Sequence, residues 1–277
     1  MPRDTTTGRE VSAVLRIDGG LADQGLLDIY DAADTIYGLA RATNIVTHAF
    51  LNKDQVKTRA NSVQGAQTYI HSSLKGCFEE KFEIHFEKHA IENIGSTVLV
   101  NNFWDYLTWA WSAAIGQPIA PESASLKKIV ESDPELIFVI ADALETPMQK
   151  LHRAISRDST VEVTLNRPKV GDKVILNHNS LAFVSVRDVE ANTEYISGNV
   201  TKFNVLSDFG RIFSDVEGKT VSFRLAHPDE RIRSLCLRSM QEMVGGEKGK
   251  MSFKVSRVLS GQEIVKRYLV HDILPPK

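Results

Sequence analysis

The sequence predicts an α+β fold in which a strand–helix–meander domain with added helices is followed by a small OB-like β-barrel. The chain has 277 residues, a length that suits two domains better than one small domain. Hydrophobic spacing in the first part changes between a period of two and a period of three to four, as in mixed strands and helices. Residues 194–272 predict three strands, a helix and two more strands, which is the element order of an OB-type barrel.

The first domain is predicted to begin with a strand and a long helix. Residues 11–17 alternate apolar with small or polar side chains, as in a half-buried strand, and residues 26–30 are a second strand candidate. Asp31 is a suitable helix N-cap, and an apolar stripe spaced by threes and fours extends this helix to about Leu51. A three-stranded meander is then predicted at residues 56–60, 66–71 and 77–86.

Residues 94–115 are the most apolar segment, and their pattern predicts a buried amphipathic helix. Polar residues, among them Asp105, share one side of this helix. A carboxylate at mid-membrane would be costly, so we do not expect a membrane span. Aromatic side chains are enriched in interface cores, which makes this helix a candidate surface for self-association or partner contact. The expected interface residues are Phe103, Trp104, Trp109 and Trp111.

Further helices and short strands are predicted before the barrel. Ser123 or Ser125 is expected to cap a short helix, and Asp133 is expected to cap a longer one that Pro147 kinks. Strands are expected at residues 161–165, 174–176 and 182–186.

These patterns divide the chain into four parts. Residues 1–10 are expected to form a flexible tail, and residues 11–157 the first domain. Residues 158–193 are connecting strands that could belong to either half, and residues 194–277 are the barrel domain. Within the barrel, Gly198 suggests a bulge, which a tightly coiled sheet needs. The predicted barrel elements are strands at residues 195–205, 209–214, 220–226, 251–255 and 264–271, with a helix at 228–244.

The barrel carries a mixture of cations and aromatic rings that is typical of single-strand nucleic-acid binding, in which cations contact phosphates and rings stack under bases. Residues 194–272 contain 13 Lys and Arg against 10 Asp and Glu, whereas the whole chain has a net charge of −2. Core aromatics and scattered surface charge are the competing interpretation. The candidate ligand-binding residues are Lys202, Phe203, Arg211, Phe213, Arg224, Lys254, Arg257 and Arg267, with Tyr195 and Phe209 interleaved among them.

Motifs for catalysis are missing from the sequence. It has no phosphate-binding glycine loop of the P-loop or dinucleotide type and no nucleophile elbow. His85 and His89 are four residues apart, but His85 lies in a predicted strand, so the two rings should point in unrelated directions. Asp105 is either a functional buried carboxylate or a capping residue. We therefore expect no catalytic residue, no metal and no cofactor.

Two stretches resemble a family of uncharacterised bacterial proteins. They are residues 26–48 and residues 65–82, the latter with Lys-Gly-Cys-Phe-Glu at 75–79. Together with the aromatic helix they carry a resemblance that extends over roughly the first 120 residues. The family has no known active site, so the resemblance implies no catalytic residue. It implies a loose association with accessory components of anti-phage and mobile-element gene neighbourhoods.

We expect a cytoplasmic, non-enzymatic binding or adaptor protein. Residues 1–10 are polar and lack the apolar core of a signal peptide, and the two cysteines are far apart, which disfavours a disulfide scaffold. The aromatic helix would mediate self-association or contact with a partner protein, and the barrel would bind nucleic acid, a nucleotide signal or another protein. The alternatives are an enzyme of unrecognised type with a site between the domains and a membrane-perturbing effector that uses residues 94–115.

Overall fold

The chain, described by a computed structural model, divides into two compact units, Met1–Val184 and Ser185–Lys277. Most of the expected tail, residues 1–7, lies outside the described residues, and Arg9 and Glu10 already belong to the first strand. The structure describes residues 8–71, 78–92, 94–95, 98–134, 136–185, 188–206, 208–244 and 249–275.

The first unit is built on an antiparallel sheet with the strand order β2-β3-β1-β4-β5. Strand β4 pairs directly with β1 and β5 pairs with β4, so the first two of the three strands predicted in the connecting segment belong to this unit. In chain order the described elements are β1 (Arg9–Asp18), a 3₁₀ helix (Gly20–Gln24), α1 (Ile29–Leu51), β2 (Ala66–Ile70), β3 (Phe78–Phe86), α2 (Lys88–Ile91), α3 (Leu99–Ala114), α4 (Ala124–Ser132), α5 (Leu136–Leu151), α6 (Arg153–Arg157), β4 (Glu162–Arg167), β5 (Gly171–Leu176) and α7 (His178–Ser185).

One hydrophobic core joins the sheet to helices α1, α3 and α5. Alternate residues of β1, from Val11 to Ile17, are buried in this core, as the alternating sequence predicts. Burial of this apolar surface, at about 25 cal/mol per Å², is the main favourable contribution to the stability of the unit.

The aromatic helix α3 is a core element. Its four expected interface residues are each 2% exposed or less, which corrects the expectation that they form an association surface. The reason is that α3 is packed on several sides, so its aromatic residues fill the interior of the unit. No helix in the described part of the chain is long and apolar enough to cross a membrane. The four corrected residues are Phe103, Trp104, Trp109 and Trp111.

Three predicted strands of the first unit are absent from the structure as described. Residues 26–30 lead into α1, because the Asp28 carboxylate accepts the Tyr30 and Asp31 N–H groups and starts the helix three residues earlier than predicted. Residues 56–60 form turns and irregular backbone. Residues 182–186 were predicted as a strand, but described residues up to Ser185 belong to α7.

The second unit is a closed five-stranded barrel, which confirms the predicted fold class. Strands β7, β8 and β9 form an antiparallel meander, β10 pairs antiparallel with β7 and β11, and β11 pairs parallel with β9. This connectivity is that of an OB-type Greek-key barrel. The described elements are β6 (Asp188–Val189), β7 (Glu194–Asn204), β8 (Phe209–Ser214), β9 (Lys219–Leu225), α8 (Glu230–Val244), β10 (Met251–Leu259) and β11 (Val265–Leu274).

The bulge in β7 lies between Val200 and Lys202, two residues beyond the predicted position at Gly198. Gly198 has a different role, because a Cβ there would lie 2.3 Å from the Phe213 carbonyl oxygen of β8. The extra residue of the bulge reverses the alternation of β7, so Lys202 points outward and Phe203 points inward. The Phe203 ring stacks on Phe223, with centroids 6.0 Å apart, and packs against the barrel core.

A buried neutral histidine connects α5, α6 and α7 in the first unit. His152 is fully buried, and its Nδ1–H donates to the Met148 carbonyl oxygen at 2.7 Å. Nε2 therefore accepts from the Ser180 hydroxyl at 2.8 Å. Burial disfavours the charged ring and lowers the pKa of His152 from 6.5 to about 4.

We expect the first unit to lose stability as the pH falls from 6.5 to 4. Above 6.5 the ring is neutral in both states, whereas below it the unfolded chain binds a proton that the folded chain does not. The loss attributable to His152 is about 3 kcal/mol. Tryptophan fluorescence measures it, because Trp104, Trp109 and Trp111 all lie in this unit. The His152→Gln variant should lose less stability over the same interval, and an unchanged pH dependence would contradict this role.

The reactivity of the Cys236 thiol reports whether the barrel core is closed to solvent. Its thiol is buried inside the barrel core, and burial raises the pKa of Cys236 to about 12. In a Cys77→Ser background, we expect no reaction of Cys236 with a disulfide reagent at pH 8 until denaturant opens the barrel, because the thiolate is the reactive form. Immediate labelling of the folded protein would show that the core is open. Cys77 itself lies outside the described residues.

Candidate functional site

The outer surface of the barrel carries a row of polar and cationic side chains across four adjacent strands. Strand register sets Lys202 of β7 opposite Arg211 of β8, and Arg211 opposite Ser222 of β9. Ser222 in turn lies beside Arg267 of β11. Directly paired residues point to the same side of a sheet, and neighbouring strands are about 4.8 Å apart, so these side chains form one row, whose two middle members, Arg211 and Ser222, are buried.

Two further rows lie on the same surface. The first of them passes through Phe209, which precedes Arg211 by two residues on β8. Phe209 is paired with Arg224 of β9, and Arg224 lies beside Leu269 of β11. The second row passes through Phe213, which follows Arg211 by two residues on β8 and is paired with Thr220 of β9. Residues two apart on a strand share a face, so both rings flank the Arg211 position. We call this surface the basic face, and its residues are Lys202, Phe209, Arg211, Phe213, Ser222, Arg224 and Arg267.

Accessibility differs among the cations of the basic face. Lys202 and Arg224 are exposed, and Arg267 is partly exposed. Arg211 is only 1% exposed, so it contributes charge to the surface without reaching a ligand directly. The Phe213 side chain is 40% exposed, which leaves its ring available for contact. Phe209 is partly exposed, and Ser222 is buried. The accessible part of the face therefore consists of three cations and two aromatic rings around a buried guanidinium.

An ion pair occupies Asp208, a carboxylate that the charge of Arg224 reaches. Arg233 of α8 donates two hydrogen bonds to Asp208, at 2.7 and 2.9 Å. The Arg233 guanidinium lowers the pKa of Asp208, and the positive charge of Arg224 lowers it further. Neither Lys202 nor Arg224 has a carboxylate within 4 Å among the residues that the structure describes. Both cations can therefore meet an anionic ligand.

Three of the predicted ligand-binding residues lie away from the basic face. Phe203 points into the barrel, as described above. Lys254 of β10 is paired with Tyr195 of β7 and with Asp272 of β11. Because Asp272 is five residues from Arg267 along β11, Lys254 is displaced from Arg267 by about 16 Å in the strand direction. Arg257 is paired with Tyr268, a fully buried residue of the barrel core, so it points to the opposite side of the sheet from Arg267, and Glu194 holds it in an ion pair. The structure thus brings together Lys202, Arg211, Phe213, Arg224 and Arg267 and separates Phe203, Lys254 and Arg257 from them.

Asp105 and the two spaced histidines have ordinary surroundings. The Asp105 carboxylate accepts the N–H groups of Glu122 and Ser123, at 3.0 and 2.8 Å, and thereby holds the segment that starts α4. Ser123 is the N-cap of that helix. His85 lies in β3 and His89 in α2, so they do not share a helix face.

The Asp208–Arg233 ion pair was not foreseen from the sequence, because its two residues are 25 positions apart.

The fold defines a two-unit α+β protein with a closed barrel as its second unit. Residues 13–185 match the model of a family described as a domain of unknown function, DUF7946, and the chain belongs to that family. The matched range coincides with the first unit, so the basic face lies outside it. No curated protein and no solved structure matches the chain.

Proposed function

We propose that the barrel binds single-stranded nucleic acid on the basic face and that the protein is a non-enzymatic binding protein. The observation that supports this is the strand register, which aligns Lys202, Arg211 and Arg267 in one row beside Arg224. Phosphates would contact the accessible cations, and bases would stack on the flanking rings. The same region of OB-type barrels, their second and third strands, commonly binds oligonucleotides.

The spacing of the rings favours a single strand over a duplex. Phe209 and Phe213 are four residues apart on β8, which is about 13 Å along the strand. Stacked bases in a nucleic-acid strand are about 3.4 Å apart. The two rings cannot contact adjacent stacked bases, so the bound strand would be extended and its bases separated from one another.

The resemblance of the first 120 residues to bacterial proteins of defence and mobile-element neighbourhoods supplies the proposed setting. In this role the protein is an accessory component in the bacterial cytoplasm, and its first unit contacts a partner protein while its barrel holds the nucleic acid.

A phage plating assay tests the setting. A double variant, Lys202→Gln with Arg224→Gln, should lose any protection that the wild-type protein confers, and equal protection by both would contradict it.

We expect Lys202→Gln and Arg224→Gln each to weaken binding of a fluorescent 20-nucleotide single strand, measured by anisotropy. Each change should weaken binding about fivefold at low salt and reduce the slope of log affinity against log salt by about 0.7, the contribution of one phosphate contact. Lys254→Gln is the matched control, because it removes the same charge elsewhere on the barrel. An equal effect of all three variants, or salt-independent binding, would contradict the assignment of the face.

Phe213→Ala should weaken binding of the same strand by about 1–3 kcal/mol, the usual contribution of one stacked base. Because the change removes a ring and no charge, the salt slope should stay that of the wild type. Tyr195→Ala is the control, since Tyr195 is 58% exposed and lies opposite Lys254, away from the face. A larger effect of Tyr195→Ala than of Phe213→Ala would place the stacking surface elsewhere.

A further inference from the structure

A polar cavity in the first unit lies where α1 ends. It has a volume of about 710 Å³, within the range of small-molecule sites. Its wall includes Asp54, Tyr106, Phe50, Asn52 and Asn102. All the described residues that line it lie between Phe50 and Ile129, in the first unit, whereas the basic face belongs to the second.

The backbone at this cavity is held in an unusual conformation. Lys53 and Asp54 both have positive φ, at 51° and 63°, in the left-handed region that non-glycine residues rarely adopt. The Asp54 N–H donates to the Ala49 carbonyl oxygen at 3.0 Å, which fixes the turn after the helix. Such conformations cost about 1–3 kcal/mol each and cluster at functional sites, where neighbouring structure holds them in place.

This turn places the Asp54 carboxylate against a buried tyrosine. Tyr106 of α3 is 1% exposed, and its hydroxyl donates to Asp54 Oδ1 at 2.9 Å. Partial burial raises the pKa of Asp54, and the nearby Asp133 charge adds to that rise. No lysine, arginine or histidine in the described part of the chain forms an ion pair with Asp54. A partly buried carboxylate is costly without a cationic partner, so the site favours a ligand that supplies one.

The other walls suit an organic cation. The Phe50 and Tyr106 rings meet edge to face, with centroids 5.6 Å apart, beside the carboxylate. Aromatic rings attract alkylammonium groups, and the attraction increases when water is excluded. The side-chain amide of Asn102 can orient a second polar group of the ligand, whereas that of Asn52 already donates to the His48 carbonyl oxygen at 2.8 Å. Two basic residues, Lys53 and His89, also line the cavity, but both side chains are exposed at the surface, and His89 lies 3.4 Å from the Glu87 carboxylate.

We propose that this cavity binds a small alkylamine, whose ammonium group pairs with Asp54 and packs against the rings of Phe50 and Tyr106. The amine supplies the charge partner that Asp54 lacks within the unit. This inference concerns the DUF7946 unit alone and does not depend on nucleic-acid binding by the barrel.

Isothermal titration of the full chain with putrescine, in the absence of nucleic acid, tests the proposal. We expect saturable binding with one site, at least tenfold tighter than for 1,4-butanediol, which has the same length and no charge. Asp54→Asn should weaken putrescine binding at least tenfold, because it removes the negative charge. Glu162→Gln, an exposed change of the same kind on β4, should bind like the wild type.

A second variant, Ala90→Leu, and the comparison of putrescine with 1,4-butanediol allow the proposal to be tested even if Asp54→Asn does not fold. Ala90→Leu enlarges a side chain on the cavity wall without changing charge, and it should also weaken binding at least tenfold. If Asp54→Asn does not fold, as judged by tryptophan fluorescence, Ala90→Leu and the comparison of putrescine with butanediol decide. Equal binding of the two ligands, no binding of putrescine, or wild-type affinity in Ala90→Leu would each overturn the proposal. The Lys202→Gln variant should bind putrescine with wild-type affinity. This control distinguishes failure of the cavity proposal from failure of nucleic-acid binding on the basic face.

Discussion

The parallel pairing of β11 with β9 is the interaction on which the second unit depends. It closes the barrel, because β11 also pairs with β10 and β10 with β7. It also sets Arg267 beside Ser222 and thereby completes the row that begins at Lys202. A meander of β7, β8 and β9 alone would carry fewer cations on that surface. Closure of the barrel and concentration of positive charge are therefore consequences of the same strand pairing.

The first unit depends on a different constraint, the burial of an aromatic helix against a sheet. Helix α3 fills the core with its rings, and its few polar groups hold neighbouring segments in place. Asp105 fixes the start of α4, whereas Tyr106 reaches the turn after α1 and orients Asp54. The same helix thus supplies the core, a capping contact and one wall of a cavity. This arrangement explains why polar residues occur in the most apolar segment of the chain.

Much of the barrel could be predicted because local signals agree with its tertiary structure. Turn residues such as Glu217 and Gly218 separate short alternating strands, and each predicted barrel strand overlaps the observed one. The outward direction of Ser222 and Arg224 also follows from alternation within β9. A bulge in β7 was predicted at Gly198, but its actual position after Val200 could not be predicted, because it depends on pairing with β8. That one extra residue reverses β7, and it is the reason that Phe203 was assigned to the wrong side.

By itself the sequence determined the α+β class, the barrel and its helix, and the concentration of cations in residues 194–272, because periodicity and turn chemistry are local properties. Only the tertiary structure decided which of those cations share a face, because register joins residues that are far apart in the chain. The sequence also predicted that the aromatic helix is buried, but only the tertiary structure decided that its rings leave no association surface, since amphipathic spacing does not specify how many sides of a helix are covered. The contact between Asp54 and Tyr106 spans 52 positions and arises from helix packing alone.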